Sequence, residues 1–337
     1  MADEIGPELE KLLFGRDLDR WREATGRYFE RVPQPNTLFN LLFHQWMTTT
    51  IAPVLAPDLF RITVQMIQDW EAANPQAEPR HKGTPYYWLG MAYTLLGDLD
   101  QGFLYMHKAL DEDRRTSGKD VPEMPAFAFV SLNAREQDQA FKAEVDAYAA
   151  FLGQRLAVYG SGSMTLEDLR QKAIAVESRW DAMFHFVYAT ARIRRLEQLG
   201  PVATGTAFGS NLLGQAIGDL CIVAEEWLRE GWPGDGEFQH HAIRFLKSKG
   251  VGDAQAVMDE IGVSQKRDWT GTVTALLDGN LPARRPLAPV ELDVATAWLL
   301  RNRVAHKVKT DSLLATRFGD IERRVYGAIF AIVEALG

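Results

Sequence analysis

Near the end of the chain an arginine, an asparagine and a histidine fall within six residues, as Arg301, Asn302 and His306. Those types at that spacing suit work on a phosphodiester. A guanidinium stays charged at physiological pH and presents a planar fork that matches two phosphate oxygens. An imidazole exchanges protons near neutrality, so it serves as base or acid, each such step contributing roughly 10²–10⁴-fold to a rate. In RNA the 2′-hydroxyl attacks the adjacent phosphorus once a base removes its proton. Charge on the phosphoryl oxygens must then be stabilised and the leaving 5′-oxygen protonated. Asn302, four residues before His306 and on the same helical face, can hold the imidazole tautomer or a substrate oxygen. This chemistry needs no metal and no cofactor, and the chain carries no His-Glu-x-x-His string, no Asp-rich cation loop and a single cysteine.

The element that must position these groups is a helix starting at Pro289-Val-Glu-Leu-Asp293, where proline and acidic residues occupy the first turn. At about 100° per residue, Leu292, Ala295, Leu299, Asn302 and His306 form one stripe. A second stripe holds Val294, Ala297, Trp298, Val304, Ala305 and Val308, with Arg301 at its centre. Two apolar sides imply that the helix is sandwiched between its own bundle and something else, most simply a second copy of the chain. Arg301 in an apolar arc needs an anion, because an unpaired buried guanidinium costs several kcal/mol. The anion is a phosphate, or a carboxylate such as Asp293 or Glu322. Between Val294 and Thr310 the basic residues Arg301, Arg303, Lys307 and Lys309 meet no acidic one. Arg303, Lys307 and Lys309 are therefore the expected RNA contacts. The whole chain, with 45 acidic against 37 basic residues, is acidic, which excludes a broad nonspecific grip on nucleic acid or anionic membrane.

Across 337 residues, apolar positions recur at helical spacing and two-residue alternation is scarce, so the expected class is all-α. Thr84-Pro85 and Thr165-Leu-Glu-Asp168 signal helix starts, and Gly97, Gly160-Ser-Gly-Ser163, Gly250 and Gly279-Asn280 signal stops. The segment 86–110 resembles a tetratricopeptide repeat: Tyr86, Leu89-Gly90, Tyr93, Gly97, Gly102 and Ala109 fall at that family's spacings. Gly90, Gly102 and Ala109 would let two antiparallel helices approach closely. The resemblance implies a helical-repeat-like layer over residues 1–199 and a protein or peptide partner for it. The small-residue stretch 200–209 is the expected boundary, followed by a helical bundle over 209–337. Within it, helices are expected over about 210–230, 237–249, 252–261, 264–278 and 314–335, beside the helix of the motif.

Cys221, in an apolar stretch, reads as a buried thiol, and with no second cysteine there is no intrachain disulfide. The acidic first ten residues do not read as a signal peptide, and no run of 18 uncharged apolar residues occurs. A cytoplasmic location without membrane contact is the expectation. His185 and His44 read as core histidines, and the adjacent His240 and His241 as a solvated helix start.

On a helix of an all-α C-terminal unit, Arg301-Asn302-x-x-x-His306 resembles the motif of the HEPN superfamily. That resemblance covers about residues 209–337 and implies a metal-independent endoribonuclease acting as a homodimer through the motif helix. Arg301 would bind the scissile phosphate, Asn302 position it and His306 exchange protons. An acidic helper in the first long helix would be Asp219, Glu225 or Glu226. Toxins and antiviral-defence effectors share such an arrangement. The alternative is a noncatalytic helical adaptor in which the motif helix is only an interface or a phosphate-binding element. A nucleotide-binding or nucleotidyl-transferring toxin–antitoxin component is also compatible with these residues.

Overall fold

In the computed structural model every regular element among the described residues is a helix, and none is a strand. The structure describes residues 81–116, 124–134, 139–200, 206–304 and 316–337, with positions 19, 23, 61, 64, 65, 68, 69, 71–76, 79 and 313. The chain divides into two compact units, residues 1–129 with 133–144, and 130–132 with 145–337. The division lies near residue 144 and not at 200–209. Helices on both sides of that small-residue stretch belong to the second unit, because their apolar faces cover each other.

In the first unit α1 (Gly83–Leu95) and α2 (Leu99–Thr116) form the expected hairpin. Gly97 turns the chain with φ of 81°, a left-handed backbone that favours glycine. Close approach of the pair depends on two more glycines. A Cβ on Gly90 would lie 2.9 Å from the Met106 backbone nitrogen, and one on Gly102 would lie 2.4 Å from Thr94 Oγ1. Phe103, Phe129 and Phe141 pack together, the first pair tilted and the second edge-to-face, with centroids 4.4 Å and 5.2 Å apart.

The unit boundaries fall within two helices, the one-turn α3 (Ala128–Ser131) and the long α4 (Gln139–Tyr159). The second unit continues with α5 (Leu166–Ile174), opened by the expected capping box in which Thr165 and Asp168 bond each other's backbone. An antiparallel pair follows, α6 (Trp180–Gln198) and α7 (Ala207–Gly231), tied by Arg192 to Asp219 at 2.8 Å. Then come α8 (Phe238–Ser248), α9 (Ala254–Arg267) and α10 (Trp269–Asp278). The break expected at Gly262 is absent. A Cβ there would sit 3.5 Å from Trp298 Cη2, in ordinary van der Waals contact, and α9 runs on through the glycine until Asp268 caps α10 by accepting from the Gly271 N–H at 2.9 Å.

The motif helix α11 (Pro289–Val304) lies at the centre of this unit, against α7, α10 and the last helix α12 (Phe318–Ala335), with α8 and α9 also in contact. Leu292, Val294, Ala295, Ala297, Trp298, Leu299 and Leu300 are all buried. Over residues 292–300 both apolar sides are therefore covered within one chain, and there they carry no argument for a second copy; the side chains of Val304, Ala305 and Val308 lie outside the described residues. A loop pins the start of α11: Arg285 bonds Asp253 at 2.6 Å and the buried Glu291 at 2.7 Å. The last helix begins at Phe318, later than expected; just before it Arg317 bonds Asp320 at 2.6 Å and Asp278 at 2.7 Å, and the described residues 313 and 316 before it are themselves helical.

Candidate functional site on the motif helix

α11 brings Arg301, Asn302 and Arg303 to its described C-terminal end, all partly exposed. His306, Lys307 and Lys309 lie outside the described residues. Arg301 is held from α7. Its Nε donates to Glu225 Oε2 at 2.7 Å and its Nη2 to Glu225 Oε1 at 3.4 Å. Of the three acids named as candidates on α7, Glu225 is thus the one that meets the motif. Asp219 bonds Arg192 and Glu226 bonds Arg229, at 2.8 and 2.7 Å.

Glu225 also accepts from Arg229 Nη2 at 3.3 Å, so two guanidiniums converge on a carboxylate whose side chain is 5 % exposed. Arg301 itself is 34 % exposed. The arrangement fixes the Nε–Nη2 edge of the arginine, while Nη1 has no partner among the described residues. Asn302 likewise has no side-chain hydrogen-bond partner among them. The Nη1 N–H groups can therefore donate to an incoming acceptor, and the Asn302 amide can donate or accept.

Neither carboxylate anticipated for Arg301 reaches it. Asp293 bonds Arg324 Nη1 at 2.9 Å and Glu322 bonds Arg155 Nε at 2.9 Å. Arg301 lies eight residues beyond Asp293 on a straight helix, about two turns away, so the two cannot pair. Burial pushes the Asp293 carboxyl up to about 6, outweighing the Arg324 charge that favours its ionised form. Burial also raises Glu322, against the opposing pull of Arg155.

Arg303, anticipated as an RNA contact, stacks on an aromatic face, its Cζ 4.7 Å from the Trp269 ring centroid. Trp269 and Arg229 were not anticipated. The Glu225–Arg229 spacing of four was legible as a helical ion pair, whereas nothing local connects Trp269 to Arg303.

The histidines divide differently from expectation. His185 is exposed on α6, on the side facing away from Met183 and Phe186. His241 is buried, its ring nitrogens 3.0 Å from the Trp232 carbonyl and 3.1 Å from the Gly236 carbonyl, where it closes the turn before α8. His44 lies outside the described residues. Cys221 is a buried free thiol, as expected, and burial raises its pKa. Among the described residues no three His, Cys, Asp or Glu side chains cluster as a metal site, and no helix is long and apolar enough to cross a membrane.

No protein-family model matches the chain, nor does any curated protein or solved structure.

Proposed function

We propose that the protein is a metal-independent endoribonuclease that cleaves RNA by attack of the 2′-hydroxyl on the adjacent phosphate. The observation that carries this reading is the state of Arg301: one edge of its fork is fixed by buried Glu225, and the Nη1 side is open. A preoriented cation aimed at developing charge is what phosphoryl chemistry asks of an arginine, because no reorganisation is then needed in the transition state. In this reading Arg301 stabilises the phosphoryl oxygens, Asn302 positions them, and His306 removes or returns the proton. Arg303, Lys307 and Lys309 contact flanking phosphates. A homodimer through the motif helix and a protein or peptide partner on the α1–α2 hairpin belong to the same proposal, as does a cytoplasmic toxin or antiviral-defence role.

The test is cleavage of mixed-sequence RNA in excess chelator. The wild type cleaves, and Arg301→Ala and His306→Ala each lower the rate about 10²-fold or more. Arg301→Lys stays low as well, since an ammonium lacks the fork. Activity untouched by either alanine, or abolished by the chelator, overturns the reading.

One observation favours a second reading. Glu225 already neutralises Arg301, which is what a purely structural tie between α7 and α11 requires. A noncatalytic helical adaptor built this way cleaves no RNA under any condition, yet loses stability when Glu225 becomes glutamine.

A further inference from the structure

Glu225 serves two guanidiniums unequally. Its Oε2 takes the short bond from Arg301 Nε at 2.7 Å, whereas Oε1 is shared between Arg301 Nη2 at 3.4 Å and Arg229 Nη2 at 3.3 Å. A closed arginine–carboxylate fork has two parallel bonds of about 2.7–2.9 Å. Arg301 is thus anchored firmly through Nε and loosely through Nη2, and Arg229 competes for the oxygen at which its fork would close. Arg229 stands four residues after Glu225 on α7, with its Nη1 bonded to Glu226 at 2.7 Å.

The sharing acts on Arg301 in shape and in charge. A guanidinium has two edges able to hold an oxyanion, here the Nε–Nη2 edge on Glu225 and the Nη1–Nη2 end. With the fork to Glu225 loose, the Nη1–Nη2 end is left for a phosphate, in a direction set by the Nε anchor. A buried carboxylate with one arginine would cancel its charge, but with two it cannot cancel both. Glu226 restores the balance only weakly, because it and Arg229 are about half exposed and water screens them.

We infer that Arg229 is a positioning residue for the phosphate site of Arg301: by taking part of Glu225, it keeps the Nη1–Nη2 end of Arg301 open and charged toward a phosphodiester. This rests on the ribonuclease reading, and adds to it a residue outside the Arg-Asn-x-x-x-His run that does not itself touch RNA. A plain surface ion pair behaves differently. If Arg229 and Glu226 only steadied α7, removing either partner would have one and the same effect. In the positioning role they act oppositely, since the fork closes without Arg229, whereas without Glu226 Arg229 leans wholly on Glu225.

The first measurement is RNA cleavage in excess chelator by the wild type, Arg229→Gln, Arg229→Lys and Glu226→Gln. Arg229→Gln lowers kcat about tenfold with little change in KM, because other phosphates hold the substrate while charge on the scissile one grows in the transition state. Arg229→Lys restores most of the rate, since its ammonium still offsets Glu225, and Glu226→Gln raises it. The second is binding of a short 2′-O-methyl oligonucleotide, which lacks the nucleophile, over a range of salt. Losing one phosphate contact reduces the slope of log affinity against log salt by about 0.7 for a single strand. Arg229→Gln and Arg301→Ala each show that reduction. Arg284→Gln does not, although it too removes an exposed arginine, paired with Glu260 before the start of α11. Arg229 and Glu226 are about half exposed, so their variants should melt near the wild type, and melting curves verify it. Cleavage that needs Arg301 but is unchanged in Arg229→Gln overturns the inference and leaves the ribonuclease reading standing, as do equal falls in Arg229→Gln and Glu226→Gln. Binding with the Arg229-dependent slope but no cleavage by the wild type overturns catalysis and supports the phosphate site. A wild type that neither binds nor cleaves overturns both.

Discussion

Glu225 is the residue on which the motif's cation depends, and its removal separates two effects. Glu225→Gln preserves shape but withdraws the charge that faces both Arg301 and Arg229. Since Arg301 is about a third exposed, water replaces part of the loss, and a destabilisation of about 1–3 kcal/mol in urea unfolding is expected. If Arg301 works on phosphate, the same variant also lowers RNA cleavage, because the guanidinium is no longer held in one orientation. A stability change near zero would mean that the pair contributes nothing to the fold. Asp293 gives a second prediction at this scale. Its carboxyl, pushed up to about 6, binds a proton more readily in the fold than in the unfolded chain, where Asp titrates near about 3.9. Below both values the group is neutral in both states and carries no penalty. As the pH rises from about 4 to 6 the unfolded chain ionises first, so stability falls, by about 3 kcal/mol for a gap of about two pH units. Glu322, also raised by burial, acts in the same direction. Comparing the wild type with Asp293→Asn in unfolding at several pH values isolates the first group: the difference between them should change over that window and be constant above about pH 7.

At the scale of elements, glycine does two different jobs, and the sequence distinguishes them poorly. Gly97 ends a helix, whereas Gly90 and Gly102 permit contact between helices. In an isolated helix Gly90→Ala would add about 1 kcal/mol of helix propensity. In the α1–α2 hairpin the new Cβ meets Met106 N at 2.9 Å and the Gly102 carbonyl at 3.0 Å, both backbone atoms. Overpacking of that kind costs about 1–3 kcal/mol, so a net loss of stability is expected, read as a lower melting temperature of the intact chain. A gain would mean that the helices are less closely packed. The same ambiguity explains what was legible. Helical class, the hairpin and most of the C-terminal helices follow from apolar spacing and caps, because these signals are local. The continuity of α9 through Gly262 was not legible, because a glycine inside a helical pattern reads equally as a stop. Arg301 was recognisable as needing an anion from its place in an apolar arc. Which acid supplies it was not, since Glu225 precedes it by 76 residues on another helix and only the packing of α7 on α11 selects it.

For the whole molecule, the central place of α11 changes how the motif helix can be interrogated. From the sequence, its second apolar stripe reads as a surface for another copy, and a charge at Trp298 as a way to split a dimer. Trp298 is 5 % exposed inside the second unit and lies against Gly262. A dimer built around the motif would therefore have to use the exposed edge of α11 near Arg301 and Arg303 and not the Trp298 side. Trp298→Glu removes a large side chain from a packed interior and places a carboxylate there. Truncation alone costs about 3–5 kcal/mol, and an unpaired buried charge adds to it. A loss confined to one chain does not depend on protein concentration, whereas a loss at a subunit interface does, because association is linked to folding by mass action. Thermal unfolding of wild type and Trp298→Glu over roughly a hundredfold range of concentration should thus give a melting-temperature difference that stays constant. A difference that grows on dilution, with the variant well folded at high concentration, would return Trp298 to an interface between copies. A constant difference leaves the Arg301 edge as the place where a second copy could complete the site.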